Sequence, residues 1–172
     1  MLTKSRTLSN PNDLYGYLHI EKNLVTGFSI MFSRFEYALK RNKYCKKSRH
    51  GNAEPDWHKF AQEHDKLFNE EKCPQLKAAV QYLSEKPPKR QVVNNDGQLD
   101  WKDRELNSKL LLENLICSVK GVRNNLFHGG KFESGSVDEP GRNTMLLESC
   151  ITVLREFLCL NSSIKNVYFR EW

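Results

Sequence analysis

The sequence contains no CxxC pair and no Cys/His cluster, although it carries five cysteines (Cys45, Cys73, Cys117, Cys150, Cys159) and five histidines. An odd number of widely spaced cysteines argues against a disulfide framework, and histidines this scattered argue against a metal centre. Cys117 and Cys150 fall on apolar helical patterns and are expected to be small buried hydrophobes in a reducing compartment. No run nears the roughly 18 apolar residues that a membrane span requires. Lys4 and Arg6 are followed by no apolar stretch, so no signal peptide is visible. These absences leave a cytoplasmic protein with no membrane contact, no metal and no cofactor as the expectation.

What is present is an ordinary polar composition with a basic lean. Hydrophobic residues make up 38% and charged residues 28% of 172, enough for one domain with a real core and too few for two comfortable ones. Lys and Arg number 27 against 21 acids, a formal charge of +6. That excess favours a polyanionic partner, and its distribution says more than its total. Lys40, Arg41, Lys43, Lys46, Lys47 and Arg49 crowd one short stretch, with Tyr44 and His50 interleaved and no acid between Glu36 and Glu54. Two explanations fit. One is a solvated connector after a helix C-terminus, where cations suit the dipole; the other is a patch that tracks phosphates.

Apolar spacing of three and four residues predicts a long amphipathic helix from Leu14 to about Lys40, with Asn10, Asn12 and Asp13 offering cap chemistry beside Pro11. A second helix is predicted from Pro55 through Trp57, Phe60, Ala61, His64, Leu67 and Phe68. The third runs from Pro74 to Glu85 with Leu76, Ala79, Val80 and Leu83 inward, and Pro87-Pro88 ends it. Lys89 to Asp100 reads as a polar loop centred on Asn94-Asn95-Asp96-Gly97, with a short hairpin as the alternative. The fourth helix is predicted from Trp101 to Phe127, stopped by Gly129-Gly130. A Gly/Ser/acid loop over 134–141 leads to a fifth helix from Asn143 to about Leu160, dense in Met145, Leu146, Cys150, Ile151, Val153, Leu154, Phe157 and Leu158. The tail, 161–172, carries Val167, Tyr168, Phe169 and Trp172 and has three readings: docked on the bundle, paired as a strand, or reaching a partner chain. The expected architecture is all-α, an up-and-down bundle of four to five helices in a single domain spanning 1–172, with its core at about 14–160.

One constellation bears chemistry. Arg123-Asn124-Asn125-Leu126-Phe127-His128 closes the fourth helix, followed by Gly129-Gly130-Lys131. A guanidinium grips phosphate oxygens through a planar fork of donors. An imidazole accepts and donates protons near neutral pH. Five residues on an ideal helix turn through about 140°, so Arg123 and His128 share a target only if the helix loosens at its end. Asn124 lies one turn before His128, placed to orient the imidazole. The plain alternative is a helix C-terminus whose cations complement the dipole. Glu36 is a secondary candidate, pairing either with Arg123 or with Lys40 one turn on. Lys131 is either a phosphate contact or a solvated lysine. The acids between Asp96 and Asp103 lack ligand spacing, and Arg142-Asn143 has no histidine after it.

The stretch from Val122 to Lys131 resembles the signature of the HEPN superfamily (higher eukaryote and prokaryote nucleotide-binding domain), and Phe32 to Lys40 is similar to the first helix of its bacterial members. The resemblance implies a four- or five-helix bundle that dimerises, bringing two Arg-x4-His motifs into a composite, metal-independent RNase site. It implies His128 as general base or acid for attack of a ribose 2′-hydroxyl, Arg123 as holder of the scissile phosphate and Asn124 as a positioning residue. Lys131, Lys40, Arg41, Lys43 and Glu36 would line the substrate path. A 2′,3′-cyclic phosphate and a 5′-hydroxyl would result. RNA is the implied substrate, a second copy the implied partner, and a toxin–antitoxin or antiviral defence system the implied setting. In one branch a tyrosine two residues after the histidine is modified; here that position is Gly130.

Overall fold

Aromatic side chains at one-turn spacing decide where the first helix packs. In a computed structural model that describes residues 20–128 and 141–170, helix α1 (Lys22–Arg41) buries Phe28, Phe32 and Phe35 along one face. Phe35 is the hub. Its ring stacks on Trp57 with centroids 5.1 Å apart and planes 4° apart, meets Phe60 edge-on at 5.7 Å, and approaches Phe157 at 6.3 Å. Aromatic pairs of this geometry contribute roughly 0.5–1.5 kcal/mol each beyond the area they bury. Phe28, Phe35, Phe60 and Phe157 are fully excluded from solvent.

After α1 come strands β1 (Cys45–Lys47) and β2 (Ala53–Pro55), helix α2 (Trp57–His64) and helix α3 (Pro74–Glu85). Strands β3 (Arg90–Val93) and β4 (Leu99–Lys102) precede α4 (Leu111–Phe127), α5 (Arg142–Cys159) and α6 (Ser162–Phe169). The protein is therefore mainly helical. Helix α5 packs against α3 and α1, α4 lies against α5, α3 and α2, and α6 docks on α1 and α5. The strands form two separate antiparallel hairpins, in registers Lys46↔Glu54 and Val92↔Asp100.

Several expected boundaries move, each for a local reason. In the described part of the first helix, Glu21 is extended (φ −61°, ψ 130°) and acts as its N-cap, so α1 starts at Lys22. Leu14 and Leu18, with the cap residues before them, lie outside the described residues. The basic stretch is a hairpin rather than a connector, entered through Lys43, whose φ of 66° lies in the left-handed region. Pro55 closes β2 instead of opening α2. Helix α2 begins one residue after Asp56, whose carboxylate accepts from Lys59 N–H at 3.1 Å. Leu67 is 64% exposed, because a 3₁₀ turn over Asp65–Leu67 rotates it off the buried face.

The hairpin alternative holds for Asn94–Gly97. The Asn94 side chain accepts from the Asp96 and Gln98 N–H groups, and Gly97 takes φ 77°. That hairpin consumes Trp101 and Lys102, so α4 starts at Leu111, ten residues later than the periodicity indicated, and Leu106 and Leu110 are not on it. Of the three readings of the tail, docking is the one seen, as a helix. Asn161 caps α6, Ile164 and Tyr168 are buried, and Arg34 of α1 donates to the carbonyls of Tyr168 and Arg170 at its far end.

Candidate active site at the end of α4

Helix α4 has no capping side chain of its own. Instead the Leu112 N–H donates to the carboxylate of Asp65, 2.9 Å away, at the end of α2. From there the helix buries Leu112, Leu115, Ile116, Val119 and Val122, and it remains regular through its last turn. Asn125 points inward and its amide donates to the Lys89 carbonyl at 2.9 Å, which ties this end of the helix to the segment before β3. Asn124, Phe127 and His128 are exposed, and Arg123 is half-buried on the flank facing α1.

Arg123 is held on three sides. Its Nη1 donates to Asn124 Oδ1 at 3.0 Å. Its guanidinium carbon lies 5.8 Å from the Phe32 ring centre and 5.3 Å from that of Phe127. Rings on the faces of a guanidinium attract it through their quadrupoles and leave its edge, where the N–H donors lie, free to meet an anion. Phe32 and Phe127 lie in the two segments that carry the resemblance but are not among the expected site residues. Their added role follows from spacing, since Phe127 stands one turn beyond Arg123.

His128 is the C-cap of α4, and its backbone N–H donates to the Asn124 carbonyl at 2.9 Å. The helix does not loosen to bring His128 round to Arg123, because that hydrogen bond completes the last turn. The two side chains keep their separation of about 140° around the axis. Asn124 joins the motif differently from expectation: its amide oxygen serves Arg123, and no described residue hydrogen-bonds the His128 imidazole. Lys131, like Gly129 and Gly130, lies outside the described residues.

The other candidates separate. Glu36 is half-buried and accepts from Trp57 Nε1 at 3.1 Å. Among the described residues no ion pair joins it to Arg123 or Lys40. It is nevertheless one ring from the motif, because Trp57 stacks on Phe32 at 5.8 Å and Phe32 faces Arg123. Lys40 is half-buried, while Arg41 and Lys43 are exposed where α1 meets the basic hairpin. Lys40 stands two turns past Phe32, about 12 Å along the axis, so this cluster is a neighbouring surface and not part of the motif.

A cleft of about 490 Å³ opens along the exposed strip of α4, between the start of α2 and the segment leading from β4. Asn124 lies at one end of the strip and Glu113 at the other, with Cys117 and Lys120 between them. Their spacing of four, three and four residues is one helical stripe, a signal present in the sequence. The residues opposite, His58 and Arg104, come from other segments and carry no such signal. Cys117 is half-buried on this cleft rather than in the core. Cys150 is fully buried, which pushes its thiol pKa far up. Tyr44 is pushed up to about 12, first by burial and then by its hydrogen bond to the Glu63 carboxylate. Among the described residues no group of three or more His, Cys, Asp or Glu is placed to hold a metal ion, and no described helix is long and apolar enough to cross a membrane. No family model, curated protein or solved structure matches the chain.

Proposed function

We propose that the protein is a metal-independent endoribonuclease of HEPN type. The observation that carries this reading is a guanidinium fixed by Asn124, Phe32 and Phe127 at the helix end that also carries an exposed histidine. In the reaction, a ribose 2′-oxygen bonds to the adjacent phosphorus while a base removes its proton. The bond to the 5′-oxygen breaks, and that oxygen takes a proton from an acid. A 2′,3′-cyclic phosphate and a 5′-hydroxyl result. Arg123 stabilises the charge that develops on the phosphoryl oxygens. His128 moves protons, and Asn124 positions Arg123. A second copy supplies the other half of the site, so that two exposed His128 side chains serve as base and acid. The basic end of α1, with Lys40, Arg41 and Lys43, attracts the strand electrostatically. A cytoplasmic toxin–antitoxin or antiviral defence role, with a partner that restrains the activity, fits such chemistry.

A second reading is favoured by the wide angle between Arg123 and His128 and by the lack of a described partner for the imidazole. It is a non-catalytic module of the same fold that binds RNA, a nucleotide or a protein. Digestion of RNA in EDTA separates the two. Wild type should cut, and Arg123→Ala and His128→Ala should each cut about a hundredfold to a thousandfold more slowly. Intact RNA with the wild-type protein, or equal cutting by the variants, defeats the nuclease reading; RNA retained without cutting selects the second.

A further inference from the structure

The segment leaving β4 crosses α4 at its one glycine, and the crossing residue is an arginine. Arg104 Nε donates to the Pro88 carbonyl at 3.1 Å, and Nη1 lies 3.7 Å from Cys117 Sγ. A Cβ at position 121 would come within 3.0 Å of both Nε and Nη2 of Arg104 and within 2.9 Å of Pro88 Cγ. Glycine inside a helix is unfavourable by about 1 kcal/mol relative to alanine, and here it provides the space that Nε and Nη2 of Arg104 occupy. Arg104 Nη2 has no hydrogen-bond partner among the described residues.

A second group faces the same cleft. His58 Nδ1 donates to Glu113 Oε1, and Ser108 Oγ donates to the other carboxylate oxygen, Oε2. Ser108 is itself fixed by Asn114, which accepts from its N–H at 3.1 Å and donates to its carbonyl at 3.0 Å. The histidine is thus oriented by a carboxylate that is oriented in turn, the arrangement that sets a ring's tautomer and aims its far nitrogen. His58 Nε2 has no partner among the described residues, and the side chain is 63% exposed. Glu113 and Cys117, which contact His58 and Arg104, are one turn apart on α4, about 6 Å along its axis. Lys120 places an ammonium on the same strip of α4 as Glu113 and Cys117. Glu105, the other acid on the cleft, already accepts from Asn107 Nδ2 at 3.0 Å.

We propose that this cleft is a phosphoryl-binding site. Arg104 offers its unpartnered Nη2 to the phosphoryl oxygens, the imidazolium form of His58 donates Nε2–H to another, and Lys120 balances the charge. Trp57 and Ile116 line the same cleft and give the ligand's apolar part a surface. The volume of about 490 Å³ lies in the range for small-molecule sites. The phosphoryl group belongs either to a free phosphate monoester or to an RNA strand. The site does not depend on cleavage at the Arg123–His128 motif.

Titration of the full-length chain tests this, with inorganic phosphate, adenosine 5′-monophosphate and a short single-stranded RNA lacking terminal phosphates as probes. The RNA arm uses the His128→Ala variant, so binding is read whether or not the protein is a nuclease. At least one probe should bind, and Arg104→Gln should weaken it about tenfold to a hundredfold. Lys120→Ala, an exposed change that leaves folding intact, should weaken it several-fold. Binding of the mononucleotide assigns a free monoester; binding of the RNA alone assigns the strand. No binding by any probe, or affinity unchanged in Lys120→Ala and in folded Arg104→Gln, overturns the proposal.

Discussion

Two faces of α4 each meet an arginine, held by different means. On one flank Arg123 lies over two rings, and one of them, Phe32, belongs to the aromatic core. On the face that lines the cleft Arg104, from the segment after β4, is held by a backbone carbonyl and a thiol over Gly121, a helix position that has no side chain. Rings consume no donors, so Arg123 spends only one, on Asn124; a carbonyl and a sulfur consume donors but fix direction as well. The first arrangement suits a group that must grip a phosphate whose geometry changes during reaction. The second suits a rigid receptor. Position on the helix follows the same division, since the histidine near Arg123 is a solvent-facing cap and the one near Arg104 is braced by Glu113.

Three measurements would sharpen or break this contrast. Phe32→Ala removes a buried ring from the core and one wall from Arg123, so the loss in chemical denaturation should be about 3–5 kcal/mol. Its NMR spectrum should shift around Arg123 and leave the Arg104 side-chain Nε–H unchanged; if both move together, the two faces are one unit. Alkaline titration probes the support they share. Tyr44 packs edge-on against Phe60 at 5.9 Å and holds its proton up to about 12 in the folded protein, against an ordinary value of 10.0. Its contribution to stability is therefore complete below about pH 10 and lost as pH rises toward about 12, with a slope near 1.4 kcal/mol per pH unit. Tyr44→Phe should flatten that slope in denaturation midpoints measured across the window. The smallest effect is expected from Gly121→Ala. Crowding Arg104 and Pro88 should destabilise by about 1–3 kcal/mol and expel the guanidinium. A crystal structure showing Arg104 still in place would remove glycine from the account of that site.

Legibility in the sequence follows how local each signal is. Helix α3 is legible from Pro74 to Glu85, because a proline at its first position and a Pro-Pro after it are signals carried by the segment itself. Helix α5 was placed to within one residue by its dense apolar stripe. The motif at the end of α4 was legible as residues but not as geometry: a hydrogen bond from Arg123 to Asn124 and two flanking rings depend on side-chain directions. The start of α4 was not legible, since periodicity ran on through a hairpin whose turn residues, Asn94 and Gly97, compete with it only once the strands pair. The cleft was less so. His58, Arg104 and Glu113 come from three segments and meet only in the packed protein.

The start of α4 is tied to a distant part of the chain. The Leu112 N–H donates to Asp65, 47 residues earlier, while Ser108 and Asn114 brace the approach locally. Starting a helix is the unfavourable step in its formation, and a side chain that closes the first turn eases it. Part of that support here comes from across the fold, so the helix that serves both arginine sites leans on the contact with the end of α2.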